Sequence, residues 1–357
     1  MSGCARRTFV QSRLLGTLAL GLLVAPVAAA RRHGVRELTR DGLPNVQSAS
    51  ALVVDLESGK VLYERDADEQ RPIASLSKMM GALVITAECQ LDPDALHEMT
   101  PSDRDAARGG DKTKLTTGWS FSIRDLMHAA LMRSDNRALP ALGAACGMTP
   151  AQLAARMTAR ARALGLTKTF FLEPTGLSTQ NVSTAREVMV ILREALKVPA
   201  ITAIMEKSKF EITAHKGDRT RRIKIHSTDR LLTKSVAEII GAKTGYTDHA
   251  RYCFAVGART SSGRTFGMVF LGGEGHYTRF ADFTRVVHWL ARGEGTAQAV
   301  APTVSASSAS GTALSRIPTP LLTPTVLDAS AAGKAAAMRT TIPRIVKTAA
   351  EKASPAP

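Results

Sequence analysis

Aromatic side chains are scarce in this 357-residue chain: Phe, Tyr and Trp make up 4% of it, and none follows Trp289. From about Ala297 the composition turns to Ala, Ser, Thr and Pro. A stretch with so little apolar surface to bury cannot offset the entropy lost on folding, so residues 296–357 are expected to form a low-complexity, disordered tail. Cysteine is nearly as sparse, at four. Cys4 falls in the amino-terminal segment, which leaves Cys89, Cys146 and Cys253, an odd number that cannot pair completely. The histidines are scattered and form no group with these cysteines at ligand spacing, so neither a metal nor any other cofactor is expected. Long apolar runs are missing too, and apart from residues 14–27 nothing approaches the length of a spanning helix. Acids are in short supply, 31 against 47 Lys and Arg, for a formal net charge of +16. Such an excess suits nucleic acid, anionic lipid or an acidic wall polymer.

The one apolar run opens the chain. Arg6, Arg7 and Arg13 precede it and Ala28-Ala29-Ala30 follows, the pattern of a secretory signal cut near Ala30. Residues 1–30 are therefore expected to direct export, by the general route or, given the paired arginines, by the twin-arginine route. Export removes nucleic acid as a partner and points to the periplasm or cell wall. Membrane association is at most weak, because Gly333 and Pro343 interrupt the basic tail piece 329–352 before it can make an anchoring helix. Residues 31–47 read as a linker. Residues 48–295 are long enough for one globular unit of two subregions, a sheet packed with helices and a helical lobe.

Three short strings carry chemistry. Ser75-Leu76-Ser77-Lys78 puts a hydroxyl and an amine at i and i+3, where side chains on one helix meet, beside an apolar stripe of Leu76, Met79, Met80, Leu83, Val84 and Ala87. Pro72 favours an extended entry, which predicts Ser75 in the first helical turn, where free N–H groups favour a forming oxyanion. Lys78 can take the Ser75 proton only when neutral, and burial beside a second cation such as Lys243 would lower its pKa. Ser134-Asp135-Asn136 ends a second amphipathic segment, Ile123 to Met132; Ser134 can relay a proton to a leaving amine and Asn136 can hold both Lys78 and a substrate carbonyl. Lys243-Thr244-Gly245 precedes two strand-like runs, Tyr252 to Gly257 and Thr265 to Leu271, as at the edge of a sheet. A cation and a hydroxyl there can grip a carboxylate, and Gly245 lets another backbone come close. Each string alone is ordinary cap, turn or strand chemistry. Their joint occurrence, in order and in matching settings, points to serine acyl transfer.

With these motifs the chain resembles the D-alanyl-D-alanine carboxypeptidase family of low-molecular-weight penicillin-binding proteins. The resemblance spans about Ser48 to Leu290 and includes ASALVVDLESGKVLYERDADEQRPIASLSKMM, ALMRSDNRALPAL, ARALGLTKTFFLEPTGLSTQNVSTAREV and GAKTGYTD. Many members have Ser-Gly-Asn-Asp-Ala at the second motif. Ser-Asp-Asn-Arg-Ala here, with Lys-Thr-Gly-Tyr and Pro-Thr-Gly-Leu-Ser, is closer to the DD-endopeptidase branch that cuts peptidoglycan cross-links. The resemblance implies an α/β (α+β) fold of the β-lactamase/transpeptidase kind, an antiparallel sheet flanked by helices plus a helical lobe. It implies an acyl-enzyme on Ser75 formed with peptidoglycan stem peptides and cross-links, β-lactams as covalent inhibitors, and an oxyanion hole from the N–H groups of Ser75 and Tyr246. Both carboxypeptidase and endopeptidase action fit. In that fold Cys89 and Cys146 each follow a helix near the active site, so one disulfide is open to them, while Cys253 is a small apolar strand residue. His226-Ser227-Thr228-Asp229 stands where relatives more often show an Asn-Thr-Asn run, which leaves that loop without a role.

Two other readings compete with this one. Glu173-Pro174 stands at a distance after Ser134 that suits the water-activating glutamate of a class A-like β-lactamase, but Thr175-Gly176-Leu177-Ser178 follows rather than Leu-Asn, so Glu173 is expected to be a solvated loop carboxylate. A non-catalytic peptidoglycan-binding protein would be free to lose Ser75 or Lys78, and both are present. The basic stretch Lys216 to Arg230 is either an attractor of peptidoglycan carboxylates or a solvated hairpin face.

Overall fold

Val53, Val256 and Met268 lie on one face of their strands and Leu52, Ala255 and Val269 on the other, and all six are buried. Covering both faces turns the usual apolar–polar alternation into continuous apolar runs. The structure, a computed structural model, describes residues 36–109, 113–233 and 235–293. The expected signal segment 1–30 and tail 296–357 lie outside the described residues. Five strands, β1 (Ser50–Asp55), β2 (Val61–Arg65), β3 (Glu238–Thr247), β4 (Arg251–Arg259) and β5 (Thr265–Gly273), form an antiparallel sheet in the order β2-β1-β5-β4-β3. Val53 and Val256 both face Met268 across the central strand. The two strand-like runs of the sequence are the cores of β4 and β5, and β3, which carries Lys243, Thr244 and Gly245, is the sheet's edge.

Five helices matter for the site: α1 (Ser77–Glu88), α2 (Ile123–His128), α3 (Ala138–Ala145), α4 (Ala185–Leu196) and α5 (Thr278–Gly293). One sheet face packs against Phe280, Phe283, Val286 and Leu290 of α5. The other meets α4 and α1 through Val188, Leu192, Met79 and Leu83, and this second core runs on into α2 and α3. The expected sheet-plus-helical-lobe architecture is therefore the observed one. The α1 stripe is wider than its periodicity suggests. Ser77 through Ile85 are all buried, whereas Ala87, counted on the apolar stripe, is exposed because the last turn leaves the core. A further small sheet contains the hairpin Lys209–Lys216 and Arg219–His226.

Cys89, directly after α1, and Cys146, directly after α3, form a disulfide with a Cα separation of 5.7 Å and close a loop over a sequence separation of 57. Cys253 is free and buried in β4. Closing a loop of that size removes unfolded-chain entropy worth about 4 kcal/mol. Replacing both cysteines by serine is expected to lower the melting temperature by roughly 8–16 °C. An unchanged thermal unfolding midpoint would show that the bridge contributes nothing to stability.

Candidate active site

Ser75 sits where an extended segment is forced to turn into α1. Arg71–Pro72 pairs with Val182–Ser183 as a short two-stranded ladder, and Ile73 N–H donates to the Asn181 carbonyl at 3.1 Å. Ala74 then takes a left-handed φ of 47°, a conformation that costs a non-glycine residue about 1–3 kcal/mol and persists only where its surroundings over-determine it. They do so here. Ser77 Oγ donates to the Ala74 carbonyl at 2.8 Å, Asn181 Nδ2 donates to Ser77 Oγ at 3.2 Å, and Gly176 presses against Ala74 from above. The result is a 3-10 turn, Ala74–Leu76, that precedes α1. Ser75 thus belongs to this turn and not to the first α-turn, because the left-handed Ala74 tightens the chain before the helix can begin.

Lys78, one turn on, is fully buried. Its Nζ donates to Ser75 Oγ at 2.8 Å, Asn136 Oδ1 at 2.7 Å and the Thr175 carbonyl at 2.5 Å. An ammonium fills all three contacts. A neutral amine has two hydrogens, which the amide and carbonyl oxygens can take because neither can donate, so its lone pair is left facing the Ser75 hydroxyl. Burial lowers the Lys78 pKa from 10.5 to about 8, against the opposing pull of Glu173 and Asp135. The expected influence of a second cation falls on the other lysine: Lys243 is pushed well below its ordinary value by burial first, then by the charges of Lys78 and Arg279.

The rate of serine acylation is therefore expected to rise with pH through about 8 and to level off above it, because protonated Lys78 has no lone pair to offer. The sign for stability is the same. Between about pH 8 and 10.5 the unfolded chain holds more protons on this group, so the fold gains stability as pH rises across that window. A pH profile of the acylation rate constant that stays flat from pH 6 to 9, taken as rough bounds around that value, would remove Lys78 as the base.

Ser134 is brought in by an irregular helix end. Ser122 caps α2 by accepting from Asp125 N–H at 3.0 Å, and the helix widens into a π-helical turn, Ala129–Arg133, which Ser134 ends with φ 63°. Lys243 Nζ donates to Ser134 Oγ and to the Thr244 carbonyl, both at 2.8 Å. With its oxygen accepting from Lys243, the Ser134 hydroxyl keeps its own proton to donate. Asp135 accepts from Thr113 Oγ1 at 2.6 Å and from Arg137 N–H at 3.0 Å, which fixes the turn carrying Asn136.

Edge strand β3 lies tightly against the turn that carries Ser75. A Cβ on Gly245 would stand 3.0 Å from the Ser75 nitrogen and 3.1 Å from the Ile73 carbonyl oxygen, so any larger residue would press the two backbones apart by a few tenths of an ångström. Thr244 Oγ1 meets Thr228 Oγ1 at 2.5 Å, and Thr228 N–H donates to the Met132 carbonyl at 3.0 Å. The loop of His226 to Asp229, without a role in the sequence reading, thus ties β3 to the turn before Ser134. Tyr246 follows on the same edge, its ring exposed and its hydroxyl donating to Asp248 at 2.8 Å.

Three features escaped the sequence reading. The Thr175 carbonyl, held over Lys78, belongs to the main chain. Arg279 is 4% exposed, lines the cleft and donates to the Gly245 carbonyl at 2.9 Å; burial lowers its pKa to about 10, which leaves it charged at neutral pH. A cation four residues before Phe283, in line with the apolar stripe of α5, was the available signal. Glu173 is the third, and here the expectation of a solvated carboxylate is corrected. One oxygen accepts from Thr175 N–H at 2.6 Å and from Thr175 Oγ1, and the other from Gly176 N–H at 2.8 Å and Ser178 N–H at 3.1 Å. The carboxylate is half-buried, and the loop folds around it through these four bonds.

Ser75, Ser134, Asn136, Thr244, Gly245, Tyr246 and Arg279 line one open cleft of about 1090 Å³, with Lys78 and Lys243 buried beneath it. Among the described residues no group of His, Cys, Asp and Glu suits a metal.

Residues 37–274 match the family described as D-alanyl-D-alanine carboxypeptidase. The chain is similar to a D-alanyl-D-alanine endopeptidase of Pseudomonas aeruginosa, 34% identical over 294 residues, 81% of this chain and 91% of that one. It is 32% identical over 282 residues to the corresponding Escherichia coli protein, covering 78% and 88%. Among solved structures, the Streptomyces K15 DD-transpeptidase shares 25% identity at a TM-score of 0.64, over 69% of this chain and 97% of that one. A D-alanyl-D-alanine carboxypeptidase from Mycobacterium tuberculosis shares 28% at a TM-score of 0.61, over 70% and 92%.

Proposed function

The chain belongs to the D-alanyl-D-alanine carboxypeptidase family of serine peptidases, and from that premise we propose that it is a penicillin-sensitive DD-endopeptidase with carboxypeptidase capability, acting on peptidoglycan outside the inner membrane. The observation that carries this reading is the position of Lys78 Nζ, within hydrogen-bond reach of Ser75 Oγ while two acceptor-only oxygens hold its hydrogens.

Ser75 Oγ attacks the D-alanyl carbonyl as its proton passes to Lys78. The oxyanion is stabilised by the N–H groups of Ser75 and Tyr246. Ser134, oriented by Lys243, gives its proton to the departing amine and is reprotonated by the proton that Lys78 took from Ser75. Lys78, neutral again, then accepts a proton from the water that hydrolyses the ester and returns it to Ser75 Oγ. Thr244 and Arg279 receive the carboxylate on the leaving D-centre. Arg279 suits this task because it is a buried cation beside β3 with no carboxylate bonded to it among the described residues. Lys243 acts on the same carboxylate mainly through its neighbours, since its Nζ already donates to Ser134.

Endopeptidase action is favoured by the likeness to two relatives of that name. Export is supported by the amino-terminal pattern of residues 1–30 and by a disulfide, which persists in oxidising compartments. No helix among the described residues is long and apolar enough to cross a membrane.

The test is mass spectrometry of the purified mature protein given cross-linked muropeptides and then benzylpenicillin. Cleaved cross-links with an adduct on Ser75 are expected. Release of terminal D-alanine alone would make the protein a carboxypeptidase, and rapid penicillin turnover with intact muropeptides would replace the peptidase reading by a β-lactamase.

A further inference from the structure

The fold divides the basic run Lys216 to Arg230 into two groups. Arg219 and Arg221 lie over the Trp119 ring, 5.9 and 4.9 Å from its centroid, and Arg222 pairs with Glu211 at 3.3 Å, so these cations are engaged around the hairpin itself. Lys224 and Arg230 instead line the active-site cleft, together with Lys114 and Arg133. Arg230 is held in position: it donates to the Tyr277 hydroxyl at 2.7 Å, with its guanidinium 5.3 Å from the ring centroid. None of these four cations is paired with a carboxylate among the described residues.

Among the described residues the acids that line the cleft are Asp135 and Asp248, and both accept hydrogen bonds, Asp135 from Thr113 and backbone N–H groups, Asp248 from the Tyr246 hydroxyl. Hydrolysis as described above uses one substrate carboxylate, at Thr244 and Arg279, and gives the four outer cations nothing to do. Like charges gathered at the mouth of a concave site repel one another until an anion arrives, and they raise the local concentration of anionic ligands. Because Ser75 lies within the same cleft, that anion is part of the molecule being cut and not a separate surface.

We infer that the outer cleft binds a second carboxylate of the substrate, so that the enzyme selects cross-linked stem peptides with free carboxylates over the same peptides with those groups amidated. This rests on the peptidase reading and names the substrate class within it. The energies involved are those of partly exposed ion pairs, which are modest and screened by salt.

The experiment compares two cross-linked muropeptides that differ only in amidation, by kcat/KM at low salt and at about 0.5 M salt. The free-acid peptide is expected to be cleaved roughly tenfold better at low salt, with the ratio falling towards one at high salt. The double substitution Lys224→Gln and Arg230→Gln is expected to raise KM for the free-acid peptide and narrow the ratio, and Lys224→Arg to keep it. Equal kcat/KM for the two peptides, with Ser75 still labelled by benzylpenicillin, overturns the carboxylate selection alone. No cleavage and no labelling overturns the peptidase reading and the selection with it.

Discussion

Replacing Lys78 by alanine is expected to slow acylation of Ser75 by about 10²–10⁴-fold, the range that a positioned general base supplies. The fold should survive, for an energetic reason. Lowering an amine pKa from 10.5 to about 8 by burial means that the charged form is disfavoured in the folded state by about 3 kcal/mol. At neutral pH that cost opposes folding and offsets the loss of the donor to Asn136 Oδ1 and the Thr175 carbonyl, so Lys78→Met, which keeps the stem and drops the charge, should unfold at a temperature close to that of the parent. Stopped-flow acylation by benzylpenicillin together with thermal unfolding separates the two effects. Acylation within tenfold of the parent would dismiss Lys78 as the base, whatever the melting temperature. Ser75→Ala sets the floor, with neither hydrolysis nor adduct expected.

Gly176→Ala is expected to be nearly as damaging, although the residue donates no functional group. Its φ is +87°, and a Cβ there would stand 2.1 Å from the Ala74 carbonyl oxygen and 2.8 Å from the Ser75 nitrogen. Both are main-chain atoms of the turn that carries Ser75 and cannot swing aside as a side-chain tip would. The turn must move, and a displacement of about 1 Å at reacting atoms can cost on the order of 100-fold in rate. Gly217→Ala is the matched control, with φ +53° and nothing within 4 Å of the added carbon, so it should show only about 1–2 kcal/mol of backbone strain and normal acylation. If the two variants acylate equally well, the tight contact at Gly176 has no bearing on catalysis.

What could be read in the sequence follows physical lines. The apolar runs of β4 and β5 were legible because both faces of the sheet are covered, and Ser75, Lys78, Ser134, Asn136 and Lys243 were legible because their chemistry resides in side chains at characteristic spacing. The Thr175 carbonyl was not, since every residue carries one and only the fold decides which is aimed at an amine. Ser75 was assigned one turn too late because a left-handed alanine leaves no compositional mark. Glu173 was misjudged for a similar reason: whether a loop carboxylate meets water or N–H groups depends on the path of the chain after it. Arg279 was within reach, as a cation embedded in an apolar helical stripe, and its place in the cleft emerges only when α5 is laid beside β3.

The position of Glu173 also bears on how such an enzyme can change over generations. The loop that this carboxylate organises carries Thr175, whose carbonyl helps to aim Lys78. Recruiting Glu173 to activate water would require its oxygens to release those N–H groups, and the base would lose its alignment with them. Drug resistance through self-made antibiotic destruction is therefore costly along this route, because each step towards it erodes the reaction with the natural substrate first. Selection under antibiotic pressure should instead favour changes at the cleft mouth, where entry of a bulky drug can be hindered while the loop beneath Ser75 stays latched.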